Sequence, residues 1–192
     1  MIQSYKIDFK NMDIKKLSKK TLDFTVKRVA EIIGIFLIVI SIFLFTAFLS
    51  YSPEDPNFVF TENTSIKNLL GFRGSYISDL FFQSIGLVSF LISFTIFFTG
   101  ISLIKIKSFL IIIENTFYSI IYSIFGSFFF ATFYKNSFWL PINGNGGFVG
   151  TFLESTFLTS LINLNKDISY YFFIILIIFL FLISINFRPT KF

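Results

Sequence analysis

Few side chains in this sequence could do chemistry, and their types exclude more than they allow. There is no histidine and no cysteine. Imidazole zinc sites, Ser-His triads, histidine proton switches, thiolate nucleophiles and disulfides are therefore excluded. The only methionines are Met1 and Met12, so a four-span haem carrier would lack its usual axial ligands. No G-x-x-x-x-G-K-[ST] phosphate loop and no G-x-G-x-x-G dinucleotide turn occurs. Gly71-Phe72-Arg73-Gly74 is not followed by Lys-Ser/Thr and is no degraded phosphate loop. The one ionisable residue well inside an apolar run is Glu114. Inserting such a carboxylate costs at least about 2.5 kcal/mol, which makes it a functional candidate by default. It lies about a turn and a half from the end of its run, where snorkelling towards Lys105 or Lys107, or an ion pair with one of them, would satisfy it. A proton or ion pathway would need a chain of polar partners, and the other apolar runs offer only Ser and Thr at depth. The expectation is a non-enzymatic chain with no catalytic, cofactor-binding or metal site.

The elements around Glu114 define the class. Of the 192 residues 54% are hydrophobic, only 14% are charged, and 32 are phenylalanine. A soluble domain averages about 25% charged residues, and one core of this size cannot hide so many rings. Lipid as solvent removes the difficulty. The phenylalanine excess is also what an AT-rich genome produces, so the count carries no functional weight. The prediction is an all-α membrane protein with four transmembrane helices over residues 29–49, 80–104, 109–133 and 168–185. A short interfacial helix is predicted over 148–164, too short and too polar (Glu154) for a full span. Residues 1–28 form a basic tail, with residues 13–26 spaced to make a short helix lying on an anionic membrane surface or simply a solvated tail. Residues 29–187 form the membrane domain, and residues 188–192 close the chain. The tail is too long, and the run after it too long, for a cleavable signal peptide.

Lysine and arginine placement gives the orientation. The tail has eight basic residues, the turn between spans two and three has Lys105 and Lys107, and the end has Arg188 and Lys191. The opposite side has only Lys67, Arg73, Lys135 and Lys166 in two longer loops. Both ends and the middle turn are therefore predicted to be cytoplasmic (N-in/C-in). Ser119, Ser123 and Ser127 recur every four residues in span three, beside Gly126. Such a stripe allows close helix contact in lipid rather than a polar pore.

Two polar segments carry a recognisable pattern. The first is Ser50-Tyr51-Ser52-Pro53-Glu54-Asp55-Pro56-Asn57-Phe58 directly after span one, followed by Asn68, Gly71, Gly74, Ser75, Asp79 and Gly86. The second is Gly144-x-Gly146-Gly147-Phe-Val-Gly150, ahead of the last span. Pro53 and Pro56 stop the helix, Asp55 can cap the following turn, and the glycines supply backbone freedom. These residues either shape two loops or form a contact surface for a partner outside the membrane. With the basic tail and the order of spans, the two segments resemble the N-terminal four-span membrane domain of the FtsK/SpoIIIE DNA translocases of bacteria, over roughly residues 20–188. Ser75 and Ser78 stand where that family often has Ala. The resemblance implies a membrane anchor and assembly domain at the division septum of the bacterial inner membrane, acting in cell division and chromosome segregation. It implies hexameric self-association and contact with other division proteins. It also implies a hexameric RecA-like ATPase motor after the last span. This chain ends at Phe192, so any motor is expected to lie outside it, and no direct DNA binding is expected from it. The competing class is a small four-span transporter or channel subunit, which predicts ionisable groups near mid-membrane and inverted repeats.

Overall fold

The computed structural model describes residues 14–56, 65–135, 140 and 142–187. The first 13 residues of the basic tail, Asn57 and Phe58, Trp139 and Pro141, and the closing Arg188 and Lys191 lie outside them. Four helices are long and apolar enough to cross a membrane, and the described residues include no strand.

Helix α1 (Ile14–Leu49) is one uninterrupted helix of 36 residues, about 54 Å long at 1.5 Å per residue. Some 20 residues suffice to cross the hydrocarbon. The segment 13–26 is therefore no separate surface helix: from Ile14 it is the inner extension of span one. The second span differs from its expected course. The chain becomes helical at Gly71 rather than at residue 80, in α2 (Gly71–Ile85), turns through a single 3₁₀ turn at Gly86–Val88, and continues as α3 (Ser89–Ile106). A straight helix over all 36 of these residues would again be about 54 Å long, far more than a bilayer needs. The break at Gly86 resolves the excess. α3 crosses, while α2 folds back so that Leu70, Gly74 and Ile77 line a groove with Ile40, Leu44 and Ala47 of α1. Asp79 therefore lies within α2, buried, and not at a loop boundary.

Helix α4 (Leu110–Phe133) is the third span. The expected single helix over 148–164 is two short helices, α5 (Gly147–Glu154) and α6 (Leu158–Leu164), with a turn at 155–157. Thr156 and Ser155 turn their hydroxyls onto the carbonyls of Leu153 and Phe152, and Thr159 onto that of Glu154. These side chains compete with helical bonding at the joint. Asn165 then caps α7 (Lys166–Ser184), its Oδ1 accepting from Ile168 N at 3.2 Å.

The crossing helices stand in the order α1, α3, α4, α7, each packed on the next. The α1–α3 seam is set by two glycines. A Cβ on Gly100 would lie 2.6 Å from the Gly34 carbonyl oxygen, and one on Gly34 would lie 2.8 Å from that of Gly100. Farther along, Ser41 donates to Ser93 O at 2.7 Å. Phe128, Phe129 and Phe173 form the α4–α7 core, closed at its outer end by Ile162 of α6. Between α3, α4 and α7 runs an uncharged polar chain. Thr95 Oγ1 lies 2.9 Å from the Tyr122 hydroxyl and 3.0 Å from that of Ser184. Asn115 donates to Thr99 Oγ1 at 2.8 Å, and Asn186 donates to Asn115 Oδ1 at 3.0 Å. In lipid such bonds hold helices together. The Asn186–Asn115 bond and the ion pair of Lys107 with Glu31 place the end of α7, the α3–α4 turn and the first half of α1 on one side, called inner below.

Two substitutions test this packing. Gly100→Val should destabilise the protein by about 1–3 kcal/mol, the usual range for overpacking. Asn115→Ala should cost about 0.6–1.7 kcal/mol, the range for interhelical bonds in lipid. Reversible unfolding in mixed micelles reads both.

Candidate functional site

The residues of the two polar segments meet on the outer side of the molecule, and the contact begins where α1 runs out of hydrogen bonds. The last carbonyls of a helix have no partner within it. Here Tyr51 N turns to Phe48 O at 3.4 Å, and Ala47 O is met instead by Asn68 Nδ2 at 2.9 Å. The Asn68 Oδ1 accepts from Leu70 N at 3.1 Å, at the start of α2. Its amide lies against Gly74, where any Cβ would collide with it. Asn68 itself is held by Asp55, whose Oδ1 and Oδ2 accept from the backbone N–H groups of Lys67 and Asn68, each at 2.8 Å. With Asp55 only 3% exposed, these two bonds are what the buried carboxylate depends on. Ser50 Oγ accepts from Leu69 N at 3.1 Å, and Ser75 donates to Pro56 O at 2.8 Å. Ser52 O accepts from Asp55 N at 3.2 Å, in the turn that contains Pro53. On the surface Lys67 pairs with Glu54, holding that carboxyl below its usual range while the lysine is itself raised.

A second chain of bonds joins the two outer loops. The Tyr51 ring packs edge-on against Phe82, centroids 4.9 Å apart, and its hydroxyl donates to Asp79 Oδ1 at 3.2 Å. Burial, and then the Asp79 charge, push the Tyr51 phenol up, so it stays a proton donor. Gln83 Nε2 donates to the same Asp79 oxygen at 3.3 Å, and Asn143 Nδ2 donates to Gln83 Oε1 at 3.0 Å.

The glycine pattern locks into the helix break. Gly86 has φ +67° and Gly147 has φ +64°, backbone that L side chains rarely adopt. The Asn145 carbonyl occupies the place of a Gly86 Cβ, and a Cβ on Gly147 would lie 2.5 Å from Gly86 N. Leu87 N donates to Asn145 O at 2.9 Å, and Ser127 of α4 donates to Ile85 O at 2.9 Å. The polar groups freed by the break are thus met by the second loop and by α4. Gly146 and Gly150 bring α5 against Ser127 and Ala131 so closely that a Cβ on either would meet the Ser127 carbonyl. Gly144 closes the turn, its N donating to Leu140 O at 2.9 Å and its O accepting from Gly147 N at 3.2 Å. Gly71 begins α2 with φ +65° in open space.

Ser50, Tyr51, Ser52, Asp55, Pro56, Asn68, Gly74 and Asp79 thus form one half of an interlocked outer face. Gly86, Gly144, Gly146, Gly147 and Gly150 form the other. Glu114 does not join them. It lies in the second turn of α4, exposed, and Lys107 pairs with Glu31 instead. Among the described residues Glu114 has no ion-pair partner. Of the serine stripe, Ser127 and Gly126 make close interhelical contacts, Ser119 bonds locally to Thr116 O at 2.8 Å, and Ser123 is buried without a hydrogen-bond partner among the described residues. Sequence reasoning missed Gln83 and Asn143, the residues that join the loops. Gln83 lies four residues after Asp79, a helical spacing that a helix start at residue 80 cuts off and that α2 restores.

Between α2 and α5 the face holds a cavity of about 410 Å³ with Asp79, Gln83 and Asn143 among its walls and Tyr76, Leu80 and Phe148 beside them. Among the described residues no group of three or more acidic side chains could hold a metal ion. The fold and this face define a multi-pass membrane domain whose outer loops are cross-braced. Over residues 26–190 the chain matches the 4TM region of DNA translocase FtsK/SpoIIIE, and it belongs to that family. No match was found among curated proteins or among solved structures.

Asp55→Ala should leave the buried Asn68 N–H and the part-buried Lys67 N–H without their acceptor, at a cost of about 1–3 kcal/mol, whereas Asp55→Asn, keeping one acceptor oxygen, should cost less. Gly147→Ala should release the second loop while the crossing helices persist. Limited proteolysis from the outer side, with helicity followed by circular dichroism, separates loop release from global unfolding.

Proposed function

We propose that this chain is the membrane anchor and assembly domain of an FtsK-like DNA translocase, acting in cell division and chromosome segregation at the septum of the bacterial inner membrane. The observation that carries this is the family match over residues 26–190, joined to an outer face built from the residues that form the family-like pattern. On this reading the domain does no chemistry of its own. Its helices hold motor subunits in the membrane and beside one another, in a hexamer, and its outer face meets other division proteins.

The cavity beside Asp79 is the natural place for such a contact. Its rim carries Leu80 and Phe148, 56% and 62% exposed, which contribute no side-chain hydrogen bond to the brace and so can be changed without undoing it. A fluorescent fusion at the inner end, expressed in dividing cells, should form a mid-cell band. Leu80→Glu combined with Phe148→Ser should disperse that band at unchanged expression and melting temperature. A wild-type fusion spread evenly around the membrane would reject the septal role and turn attention to transport. A band that survives the double substitution would reject this cavity as the contact.

A further inference from the structure

Arg73 is a charge in an unfavourable place. It is the third residue of α2, at the positive end of the helix dipole, where anions and not cations are stabilised. No acidic residue shares that first turn. The described carboxylates of the first loop and α2 are engaged elsewhere: Glu54 with Lys67, Asp55 with two backbone N–H groups, Asp79 with Tyr51 and Gln83. Among the described residues Arg73 has no ion pair, and it is exposed. Beneath it lies a groove of about 400 Å³ between α1 and α2, with Ile40, Phe43, Leu44, Ala47 and Ile77 among its walls.

The groove's depth in the membrane identifies its occupant. Counting about 20 residues across the hydrocarbon from Val29, where the basic tail ends, places the outer boundary near Leu49. Asn68 ties the start of α2 to Ala47 O and packs on Gly74, so Arg73 stands at headgroup level. From Ala47 the groove runs along α1 to Ile40, about 10 Å into the hydrocarbon. A slot with apolar walls inside the hydrocarbon and, at its mouth, a guanidinium without an ion pair among the described residues matches a phospholipid with an anionic headgroup. Guanidinium binds phosphate oxygens bidentately, and the acyl chain is the natural filler of a lipid-facing slot.

We propose that the α1–α2 groove binds one anionic phospholipid of the outer leaflet, its phosphate on Arg73 and an acyl chain along Phe43, Leu44 and Ile77. The test is native mass spectrometry of the full chain extracted from vesicles of mixed phosphatidylglycerol and phosphatidylcholine. The wild type should retain one phosphatidylglycerol in preference to phosphatidylcholine by about fivefold, the factor matching the roughly 1 kcal/mol typical of one basic residue near anionic lipid. Arg73→Gln should abolish the preference at unchanged helicity and melting temperature in neutral detergent. Ile77→Trp, which fills the slot, should reduce retention of both lipids. Because the basic tail also attracts anionic lipid, Lys19→Gln with Lys20→Gln serves as the control and should keep the preference. The proposal is overturned if Arg73→Gln retains phosphatidylglycerol as the wild type does, or if the preference vanishes only in the tail variant. Displacement of the lipid by soluble glycerol phosphate would equally overturn it, since the site would then read phosphate alone. So would a retained second copy of the chain, lost in Ile77→Trp, in place of lipid.

Discussion

Backbone polar groups at membrane depth must find partners within the protein, because lipid offers none. The break at Gly86 makes that constraint local and severe. An α-helix that turns sharply frees carbonyls before the turn and N–H groups after it. Ile85 O is taken by Ser127 of α4, and Leu87 N by Asn145 O of the second outer loop. Once those partners are needed, much else is determined. Asn145 must reach the break, so Gly146 and Gly147 must pass against α4 and α2 without side chains in the way. α5 must then begin at Gly147, beside Ser127 and Ala131. The second loop is therefore as much a part of the membrane domain as the helices it connects.

The same constraint decides between polar glue and polar pathway in the interior. Thr95, Tyr122, Ser184, Thr99, Asn115 and Asn186 form a connected network across three helices. Each contributes a neutral group, and each is satisfied by a neighbour. Individual bonds of this type are worth about 0.6 kcal/mol on average in lipid, less than the cost of leaving one of the groups unpaired in hydrocarbon. Their role is to fix which helix faces meet. A path for ions would instead place charge in that network. Of the charged groups near the inner side, Glu31 pairs with Lys107 and Arg28, and Glu114 is exposed on α4.

Hydropathy reads helices correctly where lipid is the neighbour and fails where protein is. The crossing parts of α1, α3, α4 and α7 were legible because their outward faces must be apolar. The start of α2 was not. Arg73, Ser75, Ser78 and Asp79 make Gly71–Ile85 look like a loop, yet Ser78 bonds back to Gly74 O and Ser75 O within the helix, and Ser75 and Asp79 find Pro56 O and Tyr51 in the segment before it. A polar residue with a distant partner is indistinguishable in sequence from one facing water. The Lys107 pairing failed for the same reason, since Glu31 lies far away in the chain and beside it in space. The motif residues themselves were legible as a group. What no spacing could convey was that Asp55 would bind the backbone ahead of Asn68, or that Gly147 would meet Gly86.

The brace and α1 together form a continuous mechanical path. α1 is a single helix from Ile14 to Leu49, so a load on its inner extension is carried along one rigid element to its outer end. Two features resist it. The Gly34–Gly100 seam brings the α1 and α3 backbones together, where dispersion forces act at short range over the whole contact. At the outer end Asn68 bonds the terminal turn of α1 and packs on α2, and Asp55 fixes Asn68. Removing the brace alone would leave α1 held along one side only, against α3, because α4 and α7 lie beyond α3 in the row. A membrane domain loaded through α1 would need both. That is a physical reason for Asp55, Asn68 and Gly74 to act as one unit, with Asn68 alone of the three bonding a spanning helix, at Ala47 O of α1.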